Sequence, residues 1–144
     1  MFHDCYERNV FPDLSDPFDL QLFNTYRAAR SPEARALPCN ADARGTLFEA
    51  VKGGGGGQTF VSTTKPGVTR GDHFHLEKVE RFLVLKGKAV IRLRHVLSNE
   101  VQSFHVSGDV PTAIVTTHPK HGQYSNAKND DTHSSNKLCK TSPE

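Results

Sequence analysis

A chain of 144 residues with a net charge of +2 has material for one modest core, and no run of charge in either half that would select a nucleic acid. No apolar run approaches a membrane span, and the opening MFHDCYERN lacks the basic start and apolar centre of a secretion signal, so a cytoplasmic protein with neither membrane nor nucleic-acid partner is expected. Cys5, Cys39 and Cys139 are odd in number, far apart and outside any CxxC pair, which speaks for ordinary thiols rather than a disulfide framework or a zinc ribbon.

Ser15-Asp16-Pro17 carries helix-start chemistry, a capping side chain followed by a proline whose missing N–H costs nothing in the first turn. Phe18, Leu22 and Tyr26 then recur every four residues, predicting one N-terminal helix to about Ala29 whose apolar stripe packs on the outside of a sheet. From Ala41 the period becomes that of strands. Asp42 to Gly45 reads as a turn, Thr46 to Lys52 as a strand, Gly53 to Gly57 as a mobile hairpin tip and Gln58 to Thr64 as the returning strand. The five glycines are not a phosphate loop, because no Gly-Lys-Ser/Thr and no helix start follow them. Arg81 to Leu85 and Ala89 to Val96 flank the turn at Gly87, and Val101 to Val106 forms a further strand. Short strands at regular spacing between glycine turns predict an all-β barrel or sandwich of the jelly-roll kind.

The most informative stretch is Gly67 to Gly87, GVTRGDHFHLEKVERFLVLKG. In a strand His73 and His75 share a face, and Glu80 opens a second strand in which Glu80, Phe82 and Val84 share one face. If the two strands pair, a carboxylate joins two imidazoles, a donor set suited to zinc, iron, nickel or manganese with positions open to water or substrate. An HxH alone is more often a chance pair on a polar strand; the glutamate and the framing glycines weigh against that. Gly67, His73, His75, Glu80 and Gly87 match every fixed position of the first cupin motif, which the stretch therefore resembles.

The wider run from Phe11 to Asp109 resembles the C-terminal cupin half of CapF-type capsular polysaccharide enzymes. The resemblance implies synthesis of surface-polysaccharide precursors. In that family an N-terminal dehydrogenase domain reduces a keto group with NADPH, while the cupin half epimerises a keto sugar carried on UDP. No GxGxxG opens a helix here and there is no room for a doubly wound sheet, so the chain is expected to be either a stand-alone cupin or a fragment of a two-domain protein, with a dehydrogenase domain as a possible partner and no nucleotide cofactor bound by this chain itself. A narrower likeness, at Arg70-Gly71 and His73, links the chain to the dTDP-4-keto-sugar 3,5-epimerases, in which the histidine at that place is a base.

Epimerisation beside a ketone needs a base on one face, charge stabilisation at the oxygen and an acid on the other face. His73 is the candidate base and Arg70 the candidate contact to the diphosphate of a UDP-sugar. A divalent metal, zinc foremost, is the expected cofactor on His73, His75 and Glu80. One nitrogen of His73 cannot both hold that metal and take the proton, so a metal centre and a metal-free base remain alternatives. Tyr26 and Tyr124 are both available as the second acid, with nothing in the sequence to choose between them.

After Gly108-Asp109 the chain departs from the family pattern, whose second motif supplies a histidine four positions before an asparagine. Asn126 suits the asparagine, but Gly122 stands where the histidine belongs; His121, one residue off, is the candidate fourth ligand, and His118 lies four away. The expected organisation is an N-terminal helix and linker over 1–40, a cupin barrel over 41–118 and a polar, disordered tail over 119–144, leaving the barrel short of its last strands. The functional expectation is C3 epimerisation of a UDP-linked 4-keto-6-deoxy amino sugar by a homodimer. Its alternative is a non-catalytic metal-binding module for dimerisation or sugar-nucleotide binding. A metal-dependent oxygenase of the same superfamily is a third option, since one fold carries many chemistries.

Overall fold

The computed structural model describes residues 1–75, 79–95, 97–116, 123–129 and 136–142; positions 74 and 75 and the last two segments are described by backbone alone. Two helices stand at the N-terminus. The short α1 covers Phe2–Glu7, and α2 covers Pro17–Ala28 after the two-residue strand β1, Val10–Phe11. Asp16 caps α2 by accepting from the N–H groups of Phe18 (2.8 Å) and Asp19 (3.2 Å), with Pro17 in the first turn. The capping chemistry thus acts where the sequence put it.

The packing of α2 differs from expectation. Phe18 and Leu22 remain 70% and 47% exposed, so of the stripe built on every fourth residue only Tyr26 packs, and it does so against α1 rather than on a sheet. The helix instead turns Phe23 and Tyr26 toward its neighbours. Phe23 meets Phe2 and Phe11 edge-on at 5.5 and 6.0 Å, and Tyr26 meets Tyr6 at 6.3 Å. Arg30 and Arg35 each lie 4.2 Å from the centre of the Tyr6 ring, so two guanidinium groups fasten the segment after α2 to α1. Aromatic edges and guanidinium faces supply more specific contacts than the Phe18–Leu22 stripe would find on a sheet.

The remaining strands are β2 (Cys39–Asp42), β3 (Gly45–Gly53), β4 (Gln58–Thr64), β5 (Thr69–His75), β6 (Arg81–Lys86), β7 (Lys88–His95), β8 (Val101–Ser107), β9 (Ala113–Val115), β10 (Gln123–Asn129) and β11 (Asn136–Ser142). They form two sheets. One runs β1-β3-β4-β11-β6-β9, with β2 also on β3; the other runs β5-β10-β7-β8. Phe82, Val84 and Ile114 from the first sheet pack with Ala89, Ile91, Leu93 and Val106 from the second, so the sheets face one another across a single apolar core. Alternation sets which residues enter it: Ala89, Ile91 and Leu93 are buried while Arg92 and Arg94 are exposed. At the β6–β7 turn Gly87 takes φ +81°, a left-handed conformation that side chains other than glycine rarely adopt. The Gly53–Gly57 tip is held at its base, Gly53 N–H donating to Gly57 C=O and Gly54 N–H to Phe11 C=O.

Two expectations about the barrel need correction. The segment over 119–144 was expected to be a disordered tail, yet it contributes β10 and β11, each placed in the interior of a sheet. β10 pairs antiparallel with both β5 and β7, and β11 with both β4 and β6. The barrel is therefore not short of these strands. Hydropathy failed as a guide because a strand with neighbours on both sides is held by backbone hydrogen bonds, which polar residues make as well as apolar ones. The second correction concerns β5 and β6, which do not pair: they lie in opposite sheets, and what they share is the interior between them.

Candidate functional site

His73 and Glu80 approach each other across the barrel interior. Glu80 directly precedes β6 and shares the inward face of Phe82 and Val84; the residue is 2% exposed, against 5% and 2% for those core positions. His73 lies on β5 in the facing sheet, its side chain 42% exposed, with Nε2 3.9 Å from Glu80 Oε1. One partner is sealed in the core and the other reaches solvent. They are seven positions apart in the chain, but the geometry that joins them is sheet facing sheet.

Arg70 joins His73 on the interior face through a break in strand alternation. Residues three apart on a regular strand point to opposite faces. Here the pairing of β5 with β10 runs His73 to Ser125 and then Gly71 to Asn126, leaving Asp72 as the extra residue of a β-bulge. Gly71 and Asp72 have φ of +100° and +65°, the backbone cost of that bulge. Beyond it the register aligns Arg70 with Ala127 and Ile91, and His73 with Ser125 and Leu93. Residues directly opposite share a face, so Arg70 and His73 stand in the rows of the buried Ile91 and Leu93.

The Arg70 side chain is 15% exposed and gives one N–H to Asp42 Oδ1 at 3.0 Å, while its buried Nε–H finds no acceptor among the described residues. Asp42 ends β2 and nucleates the next turn: it accepts the N–H groups of Arg44 (2.8 Å) and Gly45 (3.2 Å), and the Arg44 side chain at 2.6 Å. These bonds from Arg44, with a smaller contribution from Arg70, push the Asp42 carboxyl down to about 2.

Behind Glu80 stands Thr116, just past β9 and 7% exposed. Its Oγ1 accepts the Glu80 N–H at 2.7 Å and donates to the Glu80 C=O at 3.1 Å, while the Thr116 N–H donates to that same carbonyl at 2.8 Å. No local pattern marks this residue, because its partner lies 36 positions away and the contact exists only once β6 and β9 pair. Asp42 was readable as a turn residue but not as the partner of Arg70.

The expected ligands divide accordingly. His73 and Glu80 are brought together; the side chain of His75, and His118, His121 and Tyr124 as candidates, lie outside the described residues or side chains. Tyr26 belongs to the N-terminal aromatic cluster, where its hydroxyl lies 3.4 Å from His3 Nδ1. Among the described residues no group of three His, Cys, Asp or Glu side chains converges as a metal site. The described pair nevertheless fits one. Its 3.9 Å separation exceeds a hydrogen bond. It is nearer the ~3.4 Å between neighbouring ligands on a tetrahedral zinc with bonds of about 2.1 Å.

Comparison with known proteins agrees with this architecture. Residues 40–133 match the family described as the polysaccharide biosynthesis C-terminal domain. Over 97 residues the chain is 34% identical to a UDP-2-acetamido-2,6-beta-L-arabino-hexul-4-ose reductase of Pseudomonas aeruginosa, covering 66% of this chain and 26% of that protein. The capsular polysaccharide assembling protein CapF of Staphylococcus aureus superposes with a TM-score of 0.82 at 32% identity, over 97% of this chain and 38% of that one. A Bacillus subtilis oxalate decarboxylase superposes with a TM-score of 0.57 at 12% identity over 80% of this chain and 31% of that one, a likeness of fold alone. The chain thus spans about a quarter to two fifths of the length of these full-length relatives.

Proposed function

We propose that this chain, which belongs to the polysaccharide biosynthesis C-terminal domain family and has the CapF-type cupin fold, epimerises C3 of a UDP-linked 4-keto-6-deoxy amino sugar. The observation that carries this reading is the solvent-reaching His73 imidazole set against the buried Glu80 carboxylate inside the barrel. The relative from P. aeruginosa is named for a UDP-linked hexul-4-ose, a sugar whose ketone acidifies the neighbouring C–H.

In the proposed reaction the C3–H bond breaks, its proton passes to the His73 imidazole, and its electron pair moves into an enolate whose charge rests on the C4 oxygen. Glu80, held out of water at 3.9 Å, stabilises the imidazolium that forms. Solvent water then delivers a proton to the opposite face of C3 to complete inversion, and the His73 imidazolium returns its proton to solvent. Arg70 gives one donor to Asp42, and its remaining donors suit a diphosphate, orienting the sugar toward His73 on the same face. A divalent metal, with zinc the first choice, would be held by His73, His75, Glu80 and His121 and would polarise the C4 carbonyl. In that case His73 serves as ligand and another group must take the proton; zinc affinity and C3 exchange together decide which role it has.

The decisive experiment follows the C3 proton of a UDP-4-keto-6-deoxy sugar by NMR in D₂O. Solvent exchange above a protein-free control, lost in His73→Ala, supports the proposal. A protein that binds metal without promoting exchange is the binding module instead, and the catalytic reading falls.

A further inference from the structure

We infer that Thr116 is a positioning residue for the candidate metal centre, its hydroxyl fixing the main chain at Glu80 so that the carboxylate is presented to the same ion as His73. The inference rests on the metal reading of the site given above.

The last regular pairs between β6 and β9 are Phe82 with Ile114 and Arg81 with Val115. Glu80 and Thr116 follow at the end of this ladder, where a strand would ordinarily fray. Half of the next ladder rung is conventional, with the Thr116 N–H on the Glu80 C=O at 2.8 Å. The other half is made by the side chain, because the Glu80 N–H goes to Thr116 Oγ1 at 2.7 Å rather than to a main-chain carbonyl. The same hydroxyl closes back on the Glu80 C=O at 3.1 Å. Both peptide groups flanking the Glu80 Cα are therefore tied to one buried threonine, which sets the direction of the Glu80 Cα–Cβ bond through the main chain.

The consequence for the centre is chemical. A carboxylate ligand binds a cation tightly only when its approach is set in advance, and partners that orient metal ligands are commonly worth 10-fold or more in affinity. Valine matches threonine in shape but leaves the buried Glu80 N–H without its acceptor, whereas serine keeps the hydroxyl and loses a methyl group. The pair separates hydroxyl from volume.

The test is competition of the metal-free full chain with a chromophoric chelator for Zn²⁺, alongside amide hydrogen exchange at Glu80. Thr116→Val is expected to weaken zinc binding about tenfold or more, with Thr116→Ser close to the parent chain. Thr112→Val, which removes an exposed hydroxyl that donates to the Val110 carbonyl at 3.0 Å, serves as the control and should leave affinity unchanged. Should Thr116→Val fail to fold, Thr116→Ala against Thr116→Ser makes the same comparison. Faster exchange at the Glu80 amide with unchanged zinc affinity would reduce Thr116 to a structural residue and overturn the inference. A parent chain that binds no zinc would remove the metal reading and this inference with it; a parent that binds zinc with hydroxyl-independent affinity would remove the inference alone.

Discussion

Arg70 and His73 lie three residues apart on one strand and yet occupy the same interior face, because Asp72 is bulged out between them. Their shared direction depends on a single extra residue. Deleting Asp72 restores strict alternation and turns one of the two side chains outward. The expected result is loss of C3 exchange with the far-UV circular dichroism of the barrel retained. Gly71→Val, forced to adopt φ near +100°, should cost about 1–3 kcal/mol in urea denaturation.

Glu80 is the only fully buried carboxylate among the described residues, and His73 faces it. Glu80→Gln preserves shape but removes the charge that a cation or an imidazolium requires. Metal content after dialysis against limiting zinc, measured by mass spectrometry, should fall about tenfold or more.

Ile91 is 0% exposed, packs between the two sheets and stands in the row that leads through β10 to Arg70. Truncation to alanine leaves a cavity that neither sheet can close, and a loss of about 2–5 kcal/mol is expected by chemical denaturation. Val101, 52% exposed on β8, offers the contrast: Val101→Ala should stay within about 0.5 kcal/mol of the parent.

Asp42 gives the pH prediction. Its carboxyl lies below the ordinary 3.8, at about 2, so folding favours the ionised form and stability is gained above the unfolded value. That contribution is complete above pH about 4 and disappears as the pH falls through about 2. Asp42→Asn should therefore flatten the acid limb of the stability profile between these limits, measured by thermal melts at stepped pH. The effect is small because Asp42 and Arg44 are exposed to solvent screening.

Local chemistry fixed much of the molecule before any tertiary contact was considered. Asp16 and Pro17 start α2, the alternation of Ala89, Ile91 and Leu93 with Arg92 and Arg94 defines a half-buried strand, and Glu80 falls on the face of Phe82 and Val84. These features rest on neighbours in the chain, so periodicity and capping suffice to find them. The features that periodicity missed are long-range. β10 and β11 are polar strands selected by the backbone donors and acceptors on either side of them. The meeting of His73 with Glu80 arises from two sheets facing each other rather than from adjacent strands, and the grip of Thr116 on Glu80 spans 36 positions. A sequence records which groups are available to a site; which of them converge is decided by register, bulges and sheet packing, because hydrogen-bonded pairing joins residues without regard to their distance along the chain.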